Sequence, residues 1–309
     1  MNSAAGRKVP PQTGLPPSRI VVHPAVGGAG LFATVCALSG DPMLAYPEPA
    51  GYMRAMDYTP QEMMAIAAAR TIRNDDIVFC GTGISMLAAM AAKHISAPES
   101  VIFFETGAID SRLAELPLAV GDPRVMYRTA VNGSLLDAFA TMQNRTTGRR
   151  VVGILGAAQI DPYGNLNSTV IGDYTSPKVR FSGSGGAADV ASFVDRTIIF
   201  MQHEKRKFVP KVDYLTSPGW LDGGNARREQ GLCRGGPQLV ITNLAVMGFD
   251  GEDHRMFLKA LYPGVSAPDV VANTGFPIDA ARHTPMEPPS AEELRVLREV
   301  CDPQRLILG

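Results

Sequence analysis

The stretch VIFFETG, residues 101–107, decides the fold. Its first four residues are β-branched or aromatic and apolar, which is typical of a strand that is buried on both faces of a parallel sheet. Glu105 and Gly107 then end the strand with a charge and a turn residue. In an open α/β sheet, ligands bind beyond the carboxyl ends of the strands. Glu105 is therefore either a solvated turn residue or a carboxylate held at a binding site, and the local sequence leaves both interpretations open.

The segment 59–107 predicts alternating helices and strands. Residues 59–62 (TPQE) combine a Thr N-cap, a proline at the first helical position and a glutamate three residues after the cap, which predicts a helix that runs to about Arg73. Residues 77–80 form a short apolar strand, and Gly81-Thr82-Gly83 leads into a second helix. Because the next strand ends at Glu105, this segment is an α/β unit with short crossovers.

The same alternation continues towards the carboxyl terminus. A second capping box, SAEE at 290–293, opens a terminal helix with Leu294, Leu297 and Val300 facing inward. Further strands are predicted at 151–157 and 197–202, and a hairpin at 238–249. The fold class is α/β, with an open, mostly parallel sheet flanked by helices, and residues 57–309 are expected to form one domain.

Residues 1–56 differ from the rest of the chain. Four prolines among small polar residues in 1–19 predict a partly disordered extension. The apolar run 25–38 resembles the core of a signal peptide, but glycines interrupt it and a long polar leader precedes it, which disfavours that interpretation. Met53 and Met56 leave open a translation start within this segment. No run reaches the roughly 18 to 20 apolar residues that span a bilayer.

The composition is that of an ordinary globular protein of 309 residues, with 45% hydrophobic and 19% charged residues. The formal net charge is −1 and the basic residues are dispersed, so neither a nucleic-acid surface nor a membrane-binding patch is expected. The four cysteines lie far apart and the histidines are isolated, which argues against a metal site and a disulfide framework. A reducing, cytoplasmic setting fits best.

Four glycine-containing segments after residue 80 are candidates for a binding site, at 81–83, 156–159, 161–167 and 183–189. Gly81-Thr82-Gly83 offers backbone amides to a phosphate or thioester, or is only a tight turn. The polar residues within 156–169 line a cleft or merely close a loop. The run GSGGA at 183–187 lets backbone amides approach a ligand closely, as an oxyanion hole requires, or serves as a flexible hinge.

Together these segments carry a resemblance to a known family. The chain resembles the β subunits of class I CoA-transferases, and most nearly the glutaconate type, over about residues 57–309; residues 1–56 lie outside the resemblance. The strings that carry it occur in this order: ETG (105–107), GAAQIDPYGNLNST (156–169), GDY (172–174), GSGGA (183–187), MQHEKR (201–206) and TSPGW (216–220).

The resemblance implies that Glu105 is a covalent nucleophile. Its carboxylate would attack the donor thioester to give a mixed acyl anhydride and free CoA thiolate. The thiolate would then attack the anhydride, which releases the donor acid and leaves a glutamyl-CoA thioester, and the acceptor acid would run the steps backward. No ATP, metal or permanently bound cofactor is then needed, and coenzyme A is a substrate. The resemblance places backbone donors for the oxyanions at Gly185 and Gly186.

Other residues receive weaker roles from the same resemblance. Asn167 is a candidate for orienting Glu105. Residues that orient the site or bind CoA or substrate would come from a wider set: Gly81, Thr82, Gly83, Gln159 and His203. For His203, a structural or CoA-facing role is favoured over a general base, because it ends a strand and enters a run of charged residues.

The resemblance also implies a partner, a homologous α subunit in an α2β2 or larger assembly, with an acyl-CoA and a small carboxylic acid as substrates. It does not specify the acid. One alternative is a CoA-ester hydrolase or decarboxylase on the same fold, although such relatives tend to lack the glutamate at this turn. Another is a sugar-phosphate isomerase or a regulator, which would leave the pairing of Glu105 with the GSGG run unexplained.

Overall fold

The structure is a computed structural model that describes residues 57–143, 150–232 and 234–309. The predicted N-terminal extension, residues 1–56, lies outside the described residues. The α-helices are α1 (Pro60–Ala69), α2 (Ile84–Ile95), α3 (Leu135–Gln143), α4 (Ala187–Phe193), α5 (Ala226–Glu229), α6 (Ala267–Ala272) and α7 (Ala291–Arg295), with a 3-10 turn at Pro123–Met126 and a π-helical segment at Val296–Cys301.

The strands are as follows: β1 (Asp76–Phe79), β2 (Val101–Phe103), β3 (Ala108–Ile109), β4 (Val131–Asn132), β5 (Arg150–Gly156), β6 (Gln159–Ile160), β7 (Leu166–Asn167), β8 (Val170–Gly172), β9 (Pro177–Arg180), β10 (Arg196–Met201), β11 (Pro237–Thr242), β12 (Ala245–Phe249), β13 (Met256–Leu261) and β14 (Thr284–Pro285).

Ten strands form one sheet in the order β14-β13-β12-β11-β10-β5-β1-β2-β3-β4. The central strands β11, β10, β5, β1 and β2 are parallel, and antiparallel hairpins lie on both sides of them. This confirms the predicted open, mostly parallel sheet and the predicted β11–β12 hairpin. The chain passes from β1 to β2 on one side and then returns to β5 on the other side. Such a reversal opens a crevice at the carboxyl ends of these strands.

Helices cover both faces of the sheet, and strand residues alternate between the two cores. Ile77 and Phe79 pack with α3, α4 and α6, whereas Val78 and Cys80 pack with α1, α2 and the carboxyl-terminal helix. The same alternation holds in β2 and its extension, where Phe103 and Phe104 belong to opposite cores. Burial on both faces explains why the central strands are continuously apolar in sequence.

Both predicted capping boxes are confirmed, since Thr59 and Ser290 each exchange hydrogen bonds with the glutamate three residues later. Within the described residues, no helix is long and apolar enough to cross a membrane.

Two details of the predicted helices are wrong. The first helix ends at Ala69 rather than at about Arg73, because the Thr71 hydroxyl turns back to donate to the Ala68 carbonyl at 2.7 Å. The terminal helix widens into its π segment, where the Asp302 amide donates to the Leu297 carbonyl five residues earlier, so Cys301 rather than Val300 is fully buried.

Candidate active site

Glu105 lies in the tight turn between β2 and β3. The amide of Gly107 donates to the carbonyl of Phe104 at 3.0 Å, and the amide of Phe104 donates to Ala108 at 2.9 Å. Glu105 and Thr106 therefore occupy the two central positions of a four-residue turn. Gly107 takes the left-handed conformation, with φ of 97°, which a side chain would strain.

A second segment holds this turn in place. The amide of Gly133, between β4 and α3, donates to the carbonyl of Gly107 at 2.8 Å. The two backbones are so close that a Cβ at Gly107 would lie 2.3 Å from the Gly133 carbonyl oxygen. The backbone that carries Glu105 is thus fastened to the start of α3, which fixes where its side chain emerges.

The carboxylate of Glu105 lies against the loop that precedes α4. A Cβ at Gly186 would lie 3.2 Å from Oε1 of Glu105 and 2.9 Å from the ring of Phe139, which belongs to α3. A side chain at this position would crowd the carboxylate and the Phe139 ring. Glu105 is half-buried, and no donor among the described residues hydrogen-bonds to its carboxylate. A carboxylate that is sheltered but not paired retains its nucleophilic lone pairs.

Backbone donors are available beside this carboxylate. Neither Gly185 nor Gly186 uses its amide in a hydrogen bond with any described residue. Gly185 has φ of 50°, and the space around the Cβ positions of Gly183 and Gly185 is open to 4 Å. Unpaired amides next to a carboxylate can stabilise the oxyanion that forms when that carboxylate attacks a carbonyl.

The Gly81-Thr82-Gly83 turn reaches the same edge of the sheet. β1 and β2 are parallel neighbours with Phe79 opposite Phe103, so the residues just after each strand lie side by side. The amides of this turn meet no acceptor among the described residues, and the Cβ positions of Gly81 and Gly83 face open space. The turn leads into α2, whose first amides are also free to bind an anion.

Asn167 and Gln159 are both buried, and their side chains are engaged elsewhere. The Asn167 amide group donates to Gln159 at 2.7 Å and to the Val170 carbonyl at 2.6 Å, while its oxygen accepts from the Thr169 amide at 2.9 Å. Gln159 also bonds to Asp213 at both ends of its amide. These contacts hold the β6–β7 hairpin to its neighbours, and neither side chain hydrogen-bonds to Glu105.

His203 is a buried, neutral residue of the scaffold. Its ring lies between the hydroxyls of Thr242 at 3.1 Å and Thr274 at 3.0 Å, and it stacks on Phe208 with ring centroids 4.2 Å apart. Burial lowers the pKa of His203 to about 4, so the ring is uncharged near neutral pH. This environment favours the structural role over a basic patch that faces CoA.

Two of the sequence segments, DPYGN at 161–165 and TSPGW at 216–220, lie away from Glu105. Asn165 donates to Asp161 and accepts from the amide of Gly219, which ties the tip of the β6–β7 hairpin to the TSPGW segment. A Cβ at Gly164 would contact Pro237, the first residue of β11. This cluster therefore lies at the amino ends of the central strands, opposite to the edge that carries Glu105.

Two residues that shape the site were not predicted from the sequence. Phe139 contacts the Gly186 position from α3, and nothing in its local sequence indicates this. Gly153 lies in the middle of β5, where a Cβ would be 2.2 Å from Cγ1 of Val190. Because glycine has no Cβ, α4 can pack closely on the sheet at this point. A glycine within an apolar strand was the available signal, since it often marks a close approach of another backbone.

Within the described residues, no group of three or more histidine, cysteine, aspartate or glutamate residues is arranged to hold a metal ion. The fold and the site define an α/β protein with a glycine-lined carboxylate at the carboxyl edge of a parallel sheet.

Comparison with known proteins agrees with this class. A profile of the Coenzyme A transferase family matches residues 61–273, and the chain belongs to that family. The B subunit of glutaconate CoA-transferase from Acidaminococcus fermentans is 43% identical over 250 residues, which is 80% of this chain and 94% of that protein. The B subunit of 3-oxoadipate CoA-transferase from Pseudomonas knackmussii is 37% identical over 243 residues, covering 78% and 92%. The crystal structure of the A. fermentans glutaconate enzyme superposes with a TM-score of 0.79 at 41% identity, covering 82% of this chain and 98% of that chain.

Proposed function

We propose that this chain is the β subunit of a CoA-transferase, which moves CoA from an acyl-CoA donor to a carboxylic acid acceptor through a glutamyl-CoA thioester on Glu105. The observation that carries the proposal is the contact between Glu105 and Gly186. It brings an unpaired carboxylate to within reach of amides that have no acceptor among the described residues. The relatives named as CoA-transferase B subunits support it.

Each step of the proposed reaction exchanges one activated acyl bond for another. A Glu105 oxygen bonds to the donor acyl carbon while the C–S bond breaks, which gives an anhydride and CoA thiolate. The thiolate then bonds to the Glu105 carboxyl carbon, and the donor acid leaves with its bridging oxygen. The acceptor carboxylate attacks the glutamyl thioester, and the released thiolate finally takes the acceptor acyl group. No net proton, electron or phosphate is required, and coenzyme A acts as a substrate with no other cofactor.

The residues of this chain would serve three needs of that chemistry. Gly107 and Gly133 fix the turn, so the attacking oxygen is positioned rather than free to rotate away. The amides of Gly185 and Gly186 would stabilise the tetrahedral oxyanions. The ring of Phe139 gives the site one apolar wall, which helps to exclude the water that would hydrolyse the anhydride.

The acid substrates proposed here are dicarboxylates. Glutaconate and 3-oxoadipate, which give the relatives their names, are both short dicarboxylic acids. A second carboxylate needs a cationic or polar partner. A homologous α subunit is the proposed source of that group.

A surface next to the site is suited to such a subunit. Val131, Leu135 and Leu136, which flank the Gly133 contact, expose 51%, 54% and 78% of their surface. Exposed apolar side chains in a continuous group mark protein interfaces. We propose that the α subunit covers them and closes the site over Glu105.

The test is to trap the covalent intermediate. The chain would be co-expressed with its α subunit and incubated with an acyl-CoA and hydroxylamine or borohydride. The peptide that carries Glu105 should then be heavier by the difference between a hydroxamate and the free acid, or lighter by the difference between the free acid and the reduced alcohol.

Transfer rates of variants at Glu105 provide a second test of its role as the nucleophile. Glu105→Ala should abolish transfer, and Glu105→Asp should lower it about 100-fold, because a shortened side chain misplaces the attacking oxygen by about 1 Å. Glu299→Ala, a change at an exposed glutamate far along the chain, is the control and should leave transfer unaltered. An unmodified Glu105 peptide, together with activity in Glu105→Ala, would show a hydrolase or decarboxylase instead.

A further inference from the structure

A cavity of about 160 Å³ lies at the edge of the sheet opposite to Glu105. Its wall includes Gly235, where a Cβ would lie 2.1 Å from the carbonyl of Val194, just ahead of β10. The side chains that line it are Trp220, Asn225, Arg227, Arg228, Arg234 and His254. Three arginines around so small a space are unusual for a chain whose formal charge is −1.

Arg227 is a buried cation that has no carboxylate partner among the described residues. Only 3% of its surface is exposed, and its guanidinium donates to four backbone carbonyls: Ala191, Pro218, Gly219 and Arg234. Burial lowers the pKa of Arg227 to about 10, which still leaves it charged at neutral pH. Carbonyl dipoles solvate this charge but do not neutralise it, so the cavity keeps a positive potential.

One nitrogen of the Arg234 guanidinium lacks a hydrogen-bond acceptor among the described residues. Its Nε and Nη2 both pair with Oδ1 of Asp195, while its Nη1 is buried and has no acceptor among the described residues. A buried N–H without a partner is costly, and a ligand oxygen would remove that cost.

Arg228 stands exposed at the mouth of the cavity, and no acceptor for its guanidinium occurs in the described ranges. The opposite wall is the Trp220 ring stacked on His254, with centroids 3.8 Å apart and planes 14° apart. His254 is held with φ of 56°, an uncommon conformation for a residue other than glycine. Of the carboxylates nearby, Asp195 is the one that contacts these guanidinium groups among the described residues.

We propose that this cavity binds a phosphate group, either inorganic phosphate or a phosphate monoester, through Arg228 and the free Nη1 of Arg234. Guanidinium groups match the oxygens of a phosphate in charge and geometry. The buried charge of Arg227 adds attraction to the cavity, although backbone carbonyls already occupy four of its five N–H donors. The site is separate from the one at Glu105, because the two lie at opposite ends of the parallel strands.

The test is calorimetric titration of inorganic phosphate into the full chain in a buffer free of other anions. Wild type should bind, and Arg228→Gln should weaken binding about ten-fold, as expected for the loss of one charge-assisted contact. Arg73→Gln removes an exposed arginine outside the cavity and should bind as wild type does. Because Arg228 is exposed, its variant should unfold at the wild-type temperature, which keeps the comparison valid.

Parallel titrations would identify the source of the phosphate. Coenzyme A and dephospho-coenzyme A differ by one phosphate monoester, so a preference for coenzyme A that disappears in Arg228→Gln would place that phosphate in the cavity. Equal binding of both, with phosphate binding retained, would assign the site to the free ion. No phosphate binding to wild type, or equal binding to wild type and both Arg228→Gln and Arg234→Gln, would overturn the proposal.

Discussion

At the scale of single residues, glycines rather than hydrogen bonds define the surroundings of Glu105. Gly107 lets the turn meet Gly133, and Gly186 leaves the space that the carboxylate occupies. Apolar and polar side chains at these positions would fill the volume that the reaction needs. The polar side chains of Asn167 and His203, which the sequence also offers as candidate site residues, are buried and hydrogen-bonded within the scaffold.

Gly186→Ala should lower transferase activity by about 10- to 100-fold with little loss of stability. The added methyl group would press on Oε1 of Glu105 and on Phe139, while φ of −79° at this position suits alanine. Steady-state kinetics and thermal unfolding would measure both effects. Gly251→Ala is the matched control, since its Cβ would meet nothing within 4 Å. Equal activity in the two variants would contradict the assigned position of Glu105.

The buried ring of His203 should make the protein less stable in mild acid. Folding holds the neutral ring, so the folded pKa of about 4 lies below the unfolded value of about 6.5. The stability that the neutral His203 ring contributes to the folded state is complete above about pH 6.5 and is lost as the pH falls towards 4. Between pH 7 and pH 5 the wild type should lose about 2 kcal/mol more unfolding free energy than His203→Gln, measured with urea. Parallel losses in both proteins would exclude this cause.

At the scale of secondary-structure elements, α4 is the part that assembles the site. Its first turn carries the Gly186 contact with Glu105, and Val190 in its middle packs on Gly153 of β5. The height of the helix above the sheet therefore determines the distance between the glycine loop and the carboxylate. Capping boxes and apolar strands could be predicted because they depend on neighbours within a few residues.

Gly153→Ala should destabilise the protein by about 1–3 kcal/mol and also lower activity, because the new methyl group would push α4 away from the sheet. Adding Val190→Ala should recover part of the loss, so the two changes are not additive. Gly156→Ala in the same strand is the control, since its Cβ would lie at an ordinary 3.5 Å from the Phe200 carbonyl. Additive effects in urea unfolding would refute direct packing.

At the scale of the whole molecule, the sheet brings together segments that lie far apart in the chain. The edge with Glu105 collects the turns after β1 and β2 and the loop before α4, whereas the opposite edge collects the DPYGN and TSPGW segments with the arginine cavity. Strings that looked like one catalytic signature thus divide between two ends of the sheet. The exposed apolar group around Leu136 adjoins the first of these ends.

Leu136→Glu should weaken association with the proposed α subunit about ten-fold or more while leaving the fold intact, because this side chain is 78% exposed. Co-purification from a two-gene expression host, followed by sizing, would measure the change. Val271→Glu places the same charge at a half-exposed valine of α6 and should leave association unaltered. If the Leu136→Glu variant assembles as the wild type does, the interface with the α subunit does not include Leu136.

Local rules were sufficient to predict the α/β class, both capping boxes and six of the fourteen described strands, namely β1, β2, β5, β10, β11 and β12. The role of Glu105 came from the family resemblance, since the local sequence left it open. Hydrophobic period and turn chemistry depend on residues that are close in sequence, so they can be read without a fold. The contact of Gly186 with Glu105, the engagement of Asn167 and His203, and the arginine cavity came only with the tertiary structure. They depend on which strands become neighbours and how closely a helix packs on them, and these are properties of the assembled core.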